Sequence, residues 1–231
     1  MKTYTLLIFM LASVLLKDQN IHFNVRGIIK NTEHAKYAYL STISLQDSSS
    51  RTKIFMVSPI LNGKFEFHGT FDLGGKEDYQ QACLFVNERG NISEEELASK
   101  FKQFIWVMGR EKNLRNIILE DIKLDIQERD QMRVSKIVEG GMLTKQLGEK
   151  SEAVMGGDRK LLAFVKTYPD SPISLNAVQE VAKFYELPMK NRVESMWGSP
   201  AELFALLSER LKNSKKGIEL KKRISGIYNN K

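Results

Sequence analysis

The chain has 231 residues, of which 42% are hydrophobic and 27% are charged, with a formal net charge of +7 and one cysteine. This composition is sufficient to bury an apolar core and excludes a wholly disordered chain. One thiol also excludes an internal disulfide, so the fold has to rest on its core.

The first segment, MKTYTLLIFMLASVLL, is a basic start followed by a nearly continuous apolar run that ends at Lys17 and Asp18. The run is shorter than the roughly 20 residues that a transmembrane helix needs, and its layout is that of a secretory signal. We therefore expect residues 1–17 to be a signal peptide and the protein to be exported to the periplasm or cell envelope. A strand or helix buried in the fold is the alternative.

Residues 21–90 show the apolar–polar alternation of half-buried strands. In LNGKFEFHGTFD, an Asn-Gly turn signal precedes Phe65 and Phe67, so Glu66 between them should face solvent. The long helical crossover that parallel strands need is missing between most of these segments, which predicts antiparallel pairing. Strand patterns also occur in IHFNVRG, KYAYLSTISL, TKIFMVSPIL, QACLFVN, FIWVMG, RNIILEDIKLDIQ and MRVSKIVEGG.

A helix is predicted within the strand region, in SEEELASKFKQF. Ser93 and Glu96 have the spacing of a capping box. Leu97, Phe101 and Phe104 recur at helical spacing and form one apolar stripe. The acidic residues at the start of the segment suit the first turn of a helix, where they complement the helix dipole.

From about Met142 the apolar pattern becomes helical. MLTKQLGEKSEAVMGG predicts at most one short helix, and RKLLAFVKTY predicts another that ends near Pro169. Ser-Pro pairs at 171–172 and 199–200 have the N-cap and first-turn arrangement that starts a helix, and Glu202 adds a capping box. KKGIELKKRISGIY predicts the last helix.

Together these patterns predict an α+β protein, with an N-terminal antiparallel β-sandwich followed by a small C-terminal helical bundle. A glycine pair at 140–141 separates the two regions. The expected segments are a signal peptide at 1–17, a β-sandwich domain at 18–141 and a helical domain at 142–231.

Five stretches together resemble the N-terminal part of the envelope thiol:disulfide interchange proteins of the thioredoxin-like, TlpA-type group. They are FNVRG, LNGKFEFHG, VEGGMLTKQL, FVKTYPDSPISLNAVQEVAKF and LFALLSERLKNSKKGIELKKRI. The resemblance implies a β-sandwich domain of unknown function, followed by helices that lead into a thioredoxin fold with a Trp-Cys-x-x-Cys centre. We expect this chain to lack the thioredoxin domain, and a dithiol centre needs two cysteines whereas the sequence has one, so no catalytic residue of the family is carried over.

Recognisable catalytic and cofactor motifs are missing from the sequence, and we expect no enzyme activity, cofactor or metal. The glycine pairs lack the Lys-Ser/Thr of a phosphate loop, and no nucleophile elbow occurs. The histidines, His22, His34 and His68, have no metal-type spacing. A hydrolase or metal enzyme would require folding to bring His22 and His68 into one cleft with Glu66 or Asp72.

Positive charge is concentrated in residues 190–231, which contain ten basic and four acidic side chains. Such a run is commonly a solvated helix face, and it is also the most plausible docking surface for an acidic partner. We expect a protein partner in the envelope, such as a thioredoxin-like oxidoreductase, with no nucleic acid and at most peripheral membrane contact. The candidate docking residues are Lys215, Lys216, Lys221, Lys222 and Arg223.

The expected function is that of a non-catalytic exported envelope module for binding or assembly, related to the accessory half of thioredoxin-like oxidoreductases. The alternative is the front half of a split or truncated thiol:disulfide oxidoreductase whose catalytic domain is on another chain. In either case Cys83, which lies in an apolar run, should be buried and inert.

Overall fold

Four stretches of the chain are described by the computed structural model: residues 20–42, 54–75, 77–102 and 113–229. Within them the protein is of the α+β class, with two four-stranded sheets and several helices. The predicted signal segment and the predicted strand FIWVMG lie outside the described residues. The chain divides into two compact units, with the boundary between Gly141 and Met142.

The first unit, called here the β unit, contains eight strands among its described residues. They are β1 (Asn20–Ile29), β2 (Tyr37–Ser41), β3 (Phe55–Pro59), β4 (Lys64–Asp72), β5 (Gln81–Asn87), β6 (Leu114–Ile118), β7 (Asp121–Ile126) and β8 (Lys136–Gly140). Sheet A has the strand order β4-β1-β7-β8, and sheet B has the order β3-β2-β5-β6.

Strand pairing within the described residues is mostly antiparallel, as predicted, with one exception. β1 pairs antiparallel with β4 and parallel with β7. The prediction of a purely antiparallel β domain is therefore wrong at this pair. Between β1 and β7 the chain passes through the strands of sheet B, and these strands provide the long crossover that parallel neighbours require.

The Asn62–Gly63 turn forms as predicted, but it connects strands of different sheets. Both residues have positive φ angles, 51° and 72°, as the Asn-Gly signal indicates. A single bridge between Leu61 and Lys64 closes the turn. Because β3 pairs with β2 and β4 pairs with β1, the turn carries the chain from sheet B to sheet A instead of closing a hairpin.

One hydrophobic cluster contains buried side chains from both sheets. Val25, Phe67 and Leu124 contribute from sheet A, and Leu40 and Leu84 contribute from sheet B, each with 2% exposure or less. Burying a side chain of this size is worth about 1.5–3 kcal/mol. This cluster is therefore the main source of stability of the β unit.

Sheet B is buried on its second face as well, where it contacts helix α1 (Glu94–Lys102). The rings of Tyr39 and Phe85 stack with centroids 4.8 Å apart, and Leu97 of the helix packs in the same cluster. The Tyr39 hydroxyl donates a hydrogen bond to the Arg89 carbonyl at 2.7 Å, which satisfies its polar end inside the cluster.

The second unit, called here the helical unit, has seven helices among its described residues. They are α2 (Met142–Gly156), α3 (Lys160–Thr167), α4 (Pro172–Tyr185), α5 (Lys190–Trp197), α6 (Pro200–Ala205), α7 (Glu209–Lys212) and α8 (Lys215–Asn229). Helix α4 contacts α2, α5, α6 and α8. Helix α2 has 15 residues, so the prediction of a short helix there is wrong. Helix α5 was not predicted, and the helix predicted in SPAELFALLSERL is two helices.

Serine caps begin several helices, as predicted. Ser171 accepts a hydrogen bond from the Ile173 N–H at 3.1 Å, with Pro172 in the first turn of α4. Ser199 and Glu202 form a complete capping box at α6. Each such cap satisfies N–H groups that have no partner within the helix, and is typically worth about 1 kcal/mol.

Two glycines in sheet A lie beneath aromatic rings on the neighbouring strand. Gly27 is directly opposite Phe65, and Gly69 is directly opposite Phe23. A Cβ at position 27 would lie 2.1 Å from the Phe65 ring, and one at position 69 would lie 2.9 Å from the Phe23 ring. Each ring therefore occupies the space that a side chain on its partner would need.

Replacing Gly27 with alanine should destabilise the β unit. The new methyl group has to displace the Phe65 ring from a packed cluster, which should cost about 1–3 kcal/mol. Hydrogen-exchange protection of the β1 and β4 amides measures this loss. Gly148→Ala is the control, because nothing lies within 4 Å of that Cβ position in α2 and protection of β1 should not change. Unchanged protection of β1 in Gly27→Ala would refute the packing argument.

Candidate docking surface of the helical unit

Helix α8 carries the predicted docking residues, and its buried side shows how they are oriented. Leu220 and Ile224 are buried. At 100° per residue, Lys215 and Lys222 lie on the opposite, exposed side of the helix. Ile218, which is 46% exposed, lies on the same side.

The remaining three basic residues lie on the two flanks of α8. Lys216 and Arg223 are seven residues apart and share one flank, whereas Lys221 lies roughly 160° around the helix from Arg223. The five predicted residues therefore do not form one continuous basic patch. Lys215 and Lys222 point outward together, and Arg223 has a partner within the unit.

Arg223 forms a two-point ion pair with Glu186, the residue that ends helix α4. Arg223 Nε donates to Glu186 Oε1 at 2.6 Å, and Nη2 donates to Oε2 at 2.5 Å. These hydrogen bonds lower the pKa of the Glu186 carboxyl and raise the pKa of Arg223. The pair ties α8 to the start of the connection between α4 and α5.

Three large apolar side chains are exposed where α4 leads into α5, a surface called here the α4–α5 corner. Phe184, Leu187 and Met189 are 43%, 47% and 41% exposed, respectively. The Phe184 ring lies 5.6 Å from the Trp197 ring, and Trp197 Nε1 donates to the Val154 carbonyl at 2.9 Å. Exposed apolar side chains that are grouped together mark an interaction site more often than exposed apolar side chains that are scattered singly.

Basic side chains surround the α4–α5 corner. Lys183 and Arg192 are exposed, and Lys190 Nζ lies 5.5 Å from the centroid of the Tyr185 ring. The latter is a cation–π contact that holds the lysine at the surface. Residues 186–192 line a surface hollow of about 740 Å³. The corner thus combines an apolar centre with a mainly basic rim, in which the charge of Glu186 is paired with Arg223.

The sequence itself contains a signal for this corner. Leu187 and Met189 flank Pro188, between a helix signal that ends at Tyr185 and the helix that begins at Lys190. Breaks of this kind are normally polar. Apolar residues on both sides of a proline in such a break indicate an exposed apolar surface unless tertiary packing covers them.

His22 and His68 lie on the neighbouring strands β1 and β4. In the β1–β4 register, His22 is opposite Thr70 and His68 is opposite Asn24, so the two imidazoles are diagonal neighbours on one face. The His22 Nδ1 atom lies 2.9 Å from Thr70 Oγ1. Within the described residues, no group of three His, Cys, Asp or Glu side chains is placed to hold a metal ion.

Cys83 is buried in the cluster beneath α1, as predicted, with 5% exposure. Burial raises the pKa of the Cys83 thiol far above its ordinary value, because the thiolate is disfavoured in apolar surroundings. The reactive form of cysteine is the thiolate. This side chain is therefore a poor nucleophile in the folded protein.

Comparisons with protein-family models, curated proteins and solved structures gave no match to this chain. The resemblance to the TlpA-type group therefore stays a prediction. In the described stretches, no helix is both long enough and apolar enough to cross a membrane.

The ion pair between Glu186 and Arg223 should make stability depend on pH. Because the pKa of Glu186 is lowered in the folded state, the pair stabilises fully above the ordinary glutamate pKa of about 4.3, and this contribution is lost as pH falls through the lowered value. Glu186→Gln should lower the free energy of unfolding by about 0.5 kcal/mol at neutral pH, a modest value because the pair is partly exposed.

Urea unfolding of the wild type and of Glu186→Gln at neutral pH and at roughly pH 3 measures this difference. We expect the difference between the two proteins to shrink at the lower pH. Glu152→Gln, at an exposed position in α2, is the matched control and should leave stability unchanged at both pH values. A Glu186→Gln difference that is as large in acid as at neutral pH would contradict the assignment.

Cys83 should be protected from thiol reagents by the fold. We expect its reaction with a disulfide reagent such as DTNB to be about a hundredfold or more slower in the native protein than in urea, because reaction requires opening of the cluster. Absorbance of the released thiolate measures both rates, with Cys83→Ala as the blank. Equal rates in the native and unfolded states would show that the thiol is accessible.

Proposed function

We propose that this chain is a non-catalytic binding module of the cell envelope, exported to that compartment, which docks a partner protein through its helical unit. The observation that carries the proposal is the α4–α5 corner, where Phe184, Leu187 and Met189 are exposed inside a basic rim. Removing apolar surface from water contributes about 25 cal/mol per Å². A positive rim favours an acidic partner and speeds its approach.

The proposed architecture is a β-sandwich followed by a small helical bundle. The cluster that contains side chains from both sheets supports the sandwich, because two sheets that face each other share one core. The contacts of α4 with α2, α5, α6 and α8 support the bundle. Scaffolds of this kind hold a docking surface in one shape before binding, which reduces the entropy lost on association.

The proposed partner is a thioredoxin-like oxidoreductase, and the sequence resemblance to the TlpA-type group supports this choice. Burial of Cys83 is compatible with it, because both thiols of a dithiol centre would then belong to the partner. The alternative, the front half of a split oxidoreductase, rests on the same resemblance and differs only in how the catalytic domain is encoded.

Photo-crosslinking at the α4–α5 corner tests the docking proposal. With a photoreactive amino acid at Leu187, we expect one discrete cross-linked product in intact cells, identifiable by mass spectrometry as an envelope protein. The same amino acid at Ala163, an exposed position in α3, is the control and should give no such product. Identical product patterns at the two positions would argue against a docking site at the corner.

Substitutions on the two surfaces distinguish docking through the corner from docking through helix α8. If the corner is the site, Leu187→Asp should reduce cross-linking at position 189 by about tenfold or more, as expected for a central interface residue. Reversal of the four lysines at 215, 216, 221 and 222 should have a smaller effect, because these side chains lie on different sides of α8. If only the lysine variant loses the product, docking takes place through α8.

A further inference from the structure

Sheet A carries a row of charges on its outer face, the face turned away from the hydrophobic cluster. The strand register places Glu66 beside Arg26, Arg26 beside Lys123, and Lys123 beside Glu139. The two cations are thus direct neighbours on β1 and β7, and like charges in such positions destabilise a sheet. A negatively charged group between them relieves this repulsion.

Glu139 provides only part of that relief. Its Oε1 atom lies 3.0 Å from Arg26 Nη2, whereas its Oε2 atom lies 3.9 Å from Lys123 Nζ. Arg26 Nε is shielded from solvent and has no hydrogen-bond partner in the part of the chain that the structure describes. Shielded N–H groups are normally paired. The shielded Nε–H itself is out of reach of a ligand, but the Arg26 side chain as a whole is 35% exposed, so the rest of its guanidinium is accessible to a further acceptor.

An open surface hollow of about 430 Å³, called here the cavity, lies beside this row. Arg26, Lys64 and Lys123 contribute three cations to its lining, and Glu66 contributes the one carboxylate. Clefts of about 300–1,000 Å³ with a few converging polar groups are typical of small-molecule sites. With Glu139, which pairs with Arg26 and Lys123 from beside the lining, the group has three cations against two carboxylates, and this excess of positive charge favours an anion.

Apolar side chains form most of the rest of the cavity wall, which also includes Ser58. Ile28, Pro59 and Leu61 line it, and Leu61 is 67% exposed. Leu61 is held there by the Asn62–Gly63 turn, which crosses from sheet B to sheet A. A ligand with an apolar body would cover these side chains while its anionic group meets the cations.

We propose that this cavity binds a small organic oxyanion, a carboxylate or a phosphate monoester carried on an apolar body. The oxyanion accepts hydrogen bonds from Arg26 and Lys123, and Lys64 adds positive charge at the mouth of the cavity. The apolar body lies against Ile28 and Leu61. The site lies wholly in the β unit and does not depend on the docking proposal for the helical unit.

Titration of the ¹⁵N-labelled protein with hexanoate, hexyl phosphate and neutral hexanamide, followed by NMR, tests this site. We expect saturable shifts of the backbone amides of Arg26, Lys64 and Lys123 with at least one of the two anions, and much smaller shifts with hexanamide. The stronger anion identifies the ligand as a carboxylate or as a phosphate monoester. Equal shifts with hexanamide would overturn the assignment of an anion site.

Lysine variants complete the test. Lys123→Gln should weaken binding of the stronger anion by about tenfold, the typical effect of losing a charge-assisted hydrogen bond. Lys64→Gln should also weaken binding, and it keeps the test decisive if Lys123→Gln does not fold. Lys136→Gln is the matched control, an exposed lysine on β8 of the same sheet outside the cavity. Equal weakening in all three variants would reveal only general attraction to a basic protein and would overturn the proposal.

Discussion

The fold of the β unit depends on one hydrophobic cluster that draws side chains from both sheets. The chain changes sheet four times between β1 and β8, and each change returns apolar side chains to this cluster. As a result β1 has an antiparallel neighbour on one side and a parallel neighbour on the other. The outer face of sheet A then carries mostly polar side chains, because most of its apolar positions point inward, with Ile28 an exception.

In the helical unit, packing is centred on helix α4, which contacts four other helices. Serine caps begin α4 and α6, and the Glu186–Arg223 pair joins the end of α4 to α8. The serine caps define where α4 and α6 start, and the ion pair connects the end of α4 to α8. The side chains of Phe184, Leu187 and Met189 are left exposed after this packing, so a role in binding accounts for them better than a role in folding.

The two proposed sites differ in shape and charge because they are proposed to bind different kinds of ligand. A partner protein needs exposed apolar area with a charged rim, and the α4–α5 corner offers that arrangement. A small anion needs a concave site with converging donors, and the outer face of sheet A offers Arg26, Lys64 and Lys123 around a cavity. Neither site uses Cys83, whose burial removes it from redox and nucleophilic chemistry.

The sequence by itself determined the local structure: the alternation around Phe65 and Phe67, the Asn62–Gly63 turn, the Ser-Pro helix starts and the burial of Cys83. These depend on backbone preferences and on neighbours a few residues away. Only the tertiary structure decided the parallel β1–β7 pair, the charge row on sheet A and the division of the basic residues around α8. These features depend on which distant segments of the chain pair with each other, and the local sequence pattern does not specify that pairing.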